Sequence, residues 1–362
     1  MPRKVFPNGL ERGPVIRLEK LAGKAEFLSP LRAFGREVQE FEYRLDPLTG
    51  HVSVICRGRS SYIMKHFSQD EELLEQLIHS SRPNCPFCPG AVEQKTPKFP
   101  PEVAPEGRLR LGDCWAVPAL YAHADFNAII ILGPEHFRPL DQMEKALLRD
   151  GLSLALEVLR RAFRAYPRLK HAAVIMGHLP TAGSSLLHPH MQVLAMPVPF
   201  NRARDLLEKS LEYHRATSRN FWADLVELEA REGSRLIGHI GRTWWLAPFA
   251  PSGRYEVWGL VENVPDLLSL SGRDVECLAD GISRVLRAYA DMGIMAFNMA
   301  LFSGLLGEDS RAYFWPQIRL CARFGLRTSR LSDFWALPVL LGTDEVFEAP
   351  EDYAARFRNY FA

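Results

Sequence analysis

The sequence predicts an α+β protein of two domains, each combining short apolar strands with one long amphipathic helix. Three observations carry this. The chain has 362 residues, more than a single hydrophobic core usually organises. Short apolar runs bounded by turn residues alternate with two stretches of helical periodicity. The second half also weakly echoes the first, which predicts an N-terminal domain over 1–205 and a C-terminal domain over 206–362.

The elements follow in chain order. The first forty residues are rich in Pro, Gly and charge, and Asp46-Pro47-Leu48-Thr49-Gly50 is a turn feeding a strand from Val52 to Cys56. From Arg82 to Pro105 the chain reads as a proline-rich loop around Cys85-Pro-Phe-Cys88-Pro-Gly90, after which strands resume at Cys114 to Val117 and Asn127 to Leu132. A helix is expected from Leu140 to Tyr166, where Leu147, Leu148, Leu152, Leu156, Leu159 and Phe163 recur close to every 3.6 residues. Ala172 to Met176 and Met191 to Met196 are short strands flanking His188-Pro189-His190-Met191-Gln192.

Part of this series returns. Trp115-Ala-Val-Pro118 is echoed 130 residues later by Trp245-Leu-Ala-Pro248, again followed by a polar turn, a strand and a helix, here Val275 to Tyr289. The histidine motif falls opposite Trp315-Pro316-Gln317-Ile318-Arg319, at an offset of 127. The similar offsets imply a tandem duplication. Its second copy has lost the histidines, so the chemistry belongs to the first.

Composition narrows the partners. With 47% hydrophobic and 24% charged residues and a formal net charge of +1, the chain is neither disordered nor drawn by charge to nucleic acid or membrane, and a small-molecule partner is expected. No apolar stretch approaches the ~18 residues of a membrane span and the N-terminus carries no secretory pattern, so a cytoplasmic location is expected. Six cysteines are too few and too scattered for a disulfide scaffold, and Cys56, Cys114, Cys277 and Cys321 read as small buried apolar residues.

Two constellations carry chemistry. On a strand, His188, His190 and Gln192 would share one face. Just before them, Thr181-Ala182-Gly183-Ser184-Ser185 offers small residues, hydroxyls and amides suited to phosphate oxygens. An imidazole with a pKa near about 6.5 is substantially neutral at physiological pH and attacks phosphorus well. Taken alone, the His-x-His pair fits two structural histidines on a sheet better than an active centre. In the second constellation, Cys85-x-x-Cys88 lets two thiolates of one tight turn bind the same zinc, with His136 and His188 as further ligands. A reduced pair without metal is the alternative.

Taken together, Asp46-Pro-Leu-Thr-Gly50, Cys85-Pro-Phe-Cys88-Pro-Gly90, Gly133-Pro-Glu-His136, Gly183-Ser-Ser185 and His188-Pro-His190-Met-Gln192 resemble the galactose-1-phosphate uridylyltransferase branch of the histidine-triad superfamily, which includes ADP-glucose phosphorylases. The resemblance runs through most of the first half. It implies two histidine-triad-like domains, each an antiparallel sheet or half-barrel with flanking helices, the second degenerate. It also implies a structural Zn2+ on Cys85, Cys88, His136 and His188, with His190 as the nucleophile toward the α-phosphorus of a nucleoside diphosphate compound and Gln192 bonded to the bound phosphoryl group. Gly183, Ser184, Ser185 and Arg59 become substrate-binding positions, and a homodimer is expected.

Where the hydrolase branches carry a third histidine, this chain has Gln192. An amide cannot manage protons as an imidazole does, which favours transfer over hydrolysis. Elsewhere the chain departs from the branch. Tyr62 stands where the second arginine of the phosphate motif would be, the nucleotide-pocket segment is replaced around Trp115 to Pro118, and Leu320 to Phe324 offers Cys and Arg where a second metal site would stand. Arg319, Arg323, Arg327 and Arg330 read as a solvated basic face, with a second anion site as the alternative. The leading expectation is a nucleotidyltransferase that moves a nucleoside monophosphate from a nucleoside diphosphate sugar to a sugar 1-phosphate. A phosphorylase using inorganic phosphate, with ADP-glucose or adenylylsulfate as donor, and a zinc-stabilised nucleotide binder without turnover are the alternatives.

Overall fold

The structure is a computed structural model describing residues 16–57, 67, 70–327 and 335–362. Its described chain opens with β1 (Glu19–Ser29), β2 (Gly35–Leu45) and β3 (Val52–Ile55), then α1 (Glu71–Ser81) and the short α2 (Val92–Lys95). The first half continues through β4 (Leu109–Leu111), β5 (Cys114–Pro118), β6 (Phe126–Ile131), α3 (Lys145–Ala165), β7 (His171–His178) and β8 (His190–Met196). Two linking helices follow, α4 (Asn201–Thr217) and α5 (Phe221–Glu232). The second half is β9 (Leu236–Ile240), β10 (Thr243–Leu246), β11 (Arg254–Val261), α6 (Gly272–Asp291), β12 (Ala296–Phe302) and β13 (Gln317–Arg323), with α7 (Ala336–Leu341), β14 (Asp344–Val346) and α8 (Pro350–Phe361) at its end. The mixed α and β class and every expected element are present, with boundaries moved by a few residues.

Ten strands form one antiparallel sheet in the order β4-β5-β6-β8-β7-β12-β13-β11-β10-β9. Each half runs as three strands, a helix and two more strands, with the last strand inserted beside the third. The halves meet where β7 pairs with β12, from Phe297 opposite His178 to Phe302 opposite Ala173. One sheet therefore crosses the expected boundary at 205/206.

The register also repeats. Leu132 N bonds Pro189 O and Val261 N bonds Pro316 O, each at 2.9 Å, and Gln192 pairs with Ile129 as Arg319 pairs with Trp258. The echo of the histidine motif aligns Pro189 with Pro316 and Gln192 with Arg319 in the same way, whereas the register sets Trp115, opposite Ile131, against Trp244, opposite Leu260, one residue from the expected Trp245. Helices α3 and α6 cover one face of the sheet, burying Leu148, Leu152, Leu159, Leu278, Ile282 and Val285 against Ile130, Val174, Met191, Val193 and Leu301. Each carries a glycine that the packing requires. A Cβ at Gly151 would stand 2.3 Å from the Leu132 side chain, and one at Gly281 would stand 2.1 Å from the Trp245 ring. Close approach of sheet to helix thus outweighs the ~1 kcal/mol that glycine costs in a helix.

On the opposite face the halves diverge. Over the second half, Leu206, Phe221, Trp222 and Leu225 of α4 and α5 pack on Leu246, Trp258, Leu260 and Phe302. Over the first half the face holds the smaller cluster of Phe87, Val117, Ile129 and Ile131, built on the cysteine loop.

Two elements depart from expectation. The Pro- and Gly-rich start forms the long β1–β2 hairpin, paired from Glu19 opposite Leu45 to Ser29 opposite Gly35. Most of its side chains are exposed on both faces, so it lacks the apolar alternation that announces a strand. Helix α1 precedes the cysteine loop, capped by Asp70, which accepts from Leu73 N at 3.1 Å. Among the described residues no helix is long and apolar enough to cross a membrane.

Candidate functional site

The cysteine loop, the loop after β6 and the bend before β8 converge on one point. Ligand atoms of Cys85, Cys88, His136 and His188 all lie within 4.8 Å of one another, and three of the four residues are buried. His136 Nδ1 is 3.4 Å from Cys88 Sγ, and His188 Nδ1 is 3.8 Å from both sulfurs. A tetrahedral zinc bound to sulfur at about 2.3 Å and nitrogen at about 2.0–2.1 Å sets a sulfur–nitrogen edge of about 3.6 Å. The four residues fit that ion.

Their outer contacts fix which nitrogen faces it. His188 Nε2–H donates to Gly133 O at 2.9 Å, leaving Nδ1 with its lone pair. Ser81 Oγ gives its proton to Leu77 O at 2.6 Å, so it accepts from His136 Nε2–H at 2.9 Å, and that Nδ1 is free as well. Such partners orient metal-binding histidines. Burial brings His188 down to about 4, and burial followed by the neighbouring Cys85 pushes the Cys88 thiol up to about 11. Two thiolates side by side need a cation between them.

β8 begins at His190, because Pro189 offers no N–H to the ladder. His188 therefore stands in the bend before the strand, where it joins the cysteines, while His190 and Gln192 stay on one strand face. The His190 ring is buried, and Nδ1–H donates to His188 O at 2.8 Å. A carbonyl oxygen only accepts, so the neutral ring leaves Nε2 as the basic nitrogen. Burial holds the pKa of His190 below the ordinary imidazole value, opposed by that hydrogen bond. Phe87, between the two cysteines, meets the His190 ring edge-on at 5.4 Å between centroids. The cysteine loop thus packs against His190.

The segment before the bend turns tightly. Gly183 has φ +84°, the left-handed region open to glycine, and Leu179 is held at φ 73°. Ser184 Oγ donates to Leu186 O at 2.7 Å, so this hydroxyl shapes the loop, whereas Gly183 and Ser185 are exposed. Arg59 and Tyr62 lie outside the described residues.

Four participants were not legible in the sequence. Phe87 and Ser81 act on the site as described above. Asn298 of β12 reaches across from the second half, donating from Nδ2 to Ala182 O at 2.7 Å while its Oδ1 accepts from Arg323 Nη1 at 2.6 Å. Gly177 makes this possible, since a Cβ there would stand 2.6 Å from Ala182 O. Only Ser81 had a usable signal, at the end of a stretch with Leu73, Leu74, Leu77 and Ile78 on one helical face. The register that sets Asn298 opposite Gly177 is a product of the fold.

The basic C-terminal run is not a solvated face where it enters β13. Arg319 is enclosed, with its guanidinium 4.0 Å from the Trp258 ring centroid, and Arg323 is bound to Asn298. Arg330 lies outside the described residues.

No family model matches the chain. It is 28% identical over 333 residues to an uncharacterised protein of Archaeoglobus fulgidus, covering 91% of this chain and 95% of that one. It is 22% identical over 242 residues to an ADP-glucose phosphorylase of Arabidopsis thaliana, covering 61% of this chain and 66% of that protein. Among solved structures, an ADP-glucose phosphorylase from Arabidopsis thaliana with bound ADP-glucose superposes with a TM-score of 0.68 at 17% identity, over 88% of this chain and 98% of that one. A uridylyltransferase superposes with a TM-score of 0.63 at 20% identity, over 76% of this chain and 89% of that one. These structural likenesses are likenesses of fold.

Proposed function

We propose that the chain is a nucleotidyltransferase that moves a nucleoside monophosphate from a nucleoside diphosphate sugar to a sugar 1-phosphate through a covalent His190 intermediate. The observation that carries the reading is the tautomer of His190: Nδ1–H is spent on His188 O, and the buried ring keeps Nε2 basic. In the first half-reaction the Nε2 lone pair bonds to the α-phosphorus. The bond from phosphorus to the bridging oxygen breaks, and its electrons leave on the sugar phosphate. In the second, an acceptor phosphate oxygen attacks the same phosphorus and the P–N bond returns its electrons to Nε2. Gln192, two residues along the strand face, donates its amide to a phosphoryl oxygen, and the exposed Gly183 and Ser185, in the loop that Ser184 shapes, receive the others. An acceptor that is already an anion needs no base, which suits an amide at position 192.

A bound zinc ion would be structural, tying Cys85, Cys88, His136 and His188 together beneath the nucleophile. We further read the two halves as a tandem duplication of a histidine-triad-like domain, supported by their common strand order. A phosphorylase reading, with inorganic phosphate as acceptor, draws support from the fold shared with an ADP-glucose phosphorylase.

The test is covalent labelling. Incubation with α-labelled UDP-glucose, ADP-glucose or adenylylsulfate is expected to leave acid-labile, base-stable label on the protein and none on His190→Ala. Chasing the labelled protein with glucose 1-phosphate against inorganic phosphate then identifies the acceptor. Label that survives in His190→Ala removes the proposed nucleophile, and no label from any donor leaves a nucleotide-binding protein.

A further inference from the structure

A cavity on the same sheet face lies beside the His190 site, from Leu194 and Ile175 toward the second half. It encloses about 380 Å3 between β7, β12, β13 and the start of α4, the size of a small-molecule site. Ile175, Leu194, Phe200 and Phe302 give it apolar walls, and Arg202 and Arg319 are its cations. His190 and Gln192 do not line it.

Arg319 occupies the strand position that matches Gln192 in the first half. Its Nε and Nη2 donate to Gln317 Oε1 at 3.2 and 2.8 Å, and Gln317 Nε2 is itself buried without a partner. Among the described residues no carboxylate forms an ion pair with Arg319. The cavity's one carboxylate, Glu256, is occupied by Ser252 N at 2.6 Å and Trp258 Nε1 at 2.7 Å, and Arg202 Nη1 is spent on Ser252 Oγ at 2.8 Å. Arg202 is exposed, while Glu256 and Asp46 act on Arg319 from a distance without forming an ion pair with it among the described residues. Burial brings Arg319 down to about 10. A guanidinium withdrawn from water without a carboxylate in direct contact keeps donors to offer, and an anion entering the cavity would meet them.

We infer that this cavity is a second ligand site, which takes an organic monoanion with its carboxylate or phosphate head at Arg319 and its apolar body against Phe200 and Phe302. The site is linked to the loop before His190, because Asn298 lines the cavity and its amide holds Ala182 O. Occupancy of the cavity therefore reaches the Gly183–Ser185 turn.

The inference stands apart from the nucleotidyl reading and is tested on His190→Ala protein, which cannot turn over. Benzoate, phenyl phosphate and inorganic phosphate are titrated calorimetrically. At least one organic anion is expected to saturate one site per chain. Ala300→Phe, which fills the cavity from β12, and Arg202→Gln, a change at an exposed position, are each expected to weaken that binding at least tenfold. Binding of inorganic phosphate should not respond to Ala300→Phe. Benzoate alone binding assigns a carboxylate ligand, and phenyl phosphate alone a phosphate monoester. Binding of neither, or organic-anion binding unchanged in both variants, overturns the inference.

Discussion

The two halves of the sheet share a strand order and a register yet hold opposite surfaces. In the first, the face around His190 carries the small cluster built on the cysteine loop. In the second, Trp222, Phe221 and Leu225 lie over the equivalent strands, and Trp315, Gln317 and Arg319 stand where His188, His190 and Gln192 stand in the first. A shared strand order can thus carry two different surfaces. The halves are also joined, because Asn298 of the second holds Ala182 O in the loop before His190.

The sharpest way to break this comparison is to exchange the nucleophiles. His190→Ala should lower turnover on the order of 10^4-fold or more. Adding Gln317→His to that variant should restore neither label nor turnover, because the second face is covered. Label on the double variant, retained at position 317, would show the halves to be chemically equivalent.

The next largest effect concerns the candidate metal point, which among the described residues lies in the first half. Cys85→Ser should abolish the expected content of about one zinc per chain and lower the melting temperature substantially, since ligation free energy is folding free energy. Cys277→Ser, at a buried position of α6, should leave metal content unchanged and cost only about 1 kcal/mol. Elemental analysis and thermal unfolding check both.

Asn298→Ala measures what the second half gives the first. We expect kcat/KM to fall about tenfold, with a stability loss of about 1–2 kcal/mol from the lost hydrogen bonds. An unchanged rate in a folded Asn298→Ala protein would reduce the second half to packing.

The smallest effect is on pH dependence. Burial lowers the pKa of His190, so at a given acidic pH more of it is neutral than of a free imidazole. The labelling rate should hold as pH falls through about 6.5 and decline only below it. His178, buried between Phe137 and Phe297 and brought down to about 4, has the same sign for stability. The unfolded chain takes its proton near about 6.5 and the folded chain does not, so the contribution of His178 is full above that pH and is lost as pH falls toward 4. Rates and melting temperatures across pH 4 to 8 test both signs.

Much of this was legible in the sequence, for local reasons. Periodicity located α3 and α6 and apolar runs located β5 to β8, while the echo of Trp115 at Trp245 missed by one residue, because Trp115 opposite Ile131 matches Trp244 opposite Leu260. Where the signal was not local it failed. The β1–β2 hairpin buries too little on either face to show a pattern, and the arginines of β13 resemble a surface run until the neighbouring strands enclose them.

The sequence by itself determined the chemistry available: two cysteines in one tight turn, a His-x-His pair, a small-residue loop before it and an amide at position 192. Only the tertiary structure decided how these are used. Gly133 O and Ser81 Oγ choose the nitrogens that face the candidate metal point, His188 O leaves Nε2 of His190 basic, and α4 and α5 cover this sheet face over the second half. A tautomer or a covered face depends on which groups approach within about 3–4 Å, and that distance is set by packing between segments far apart in the chain.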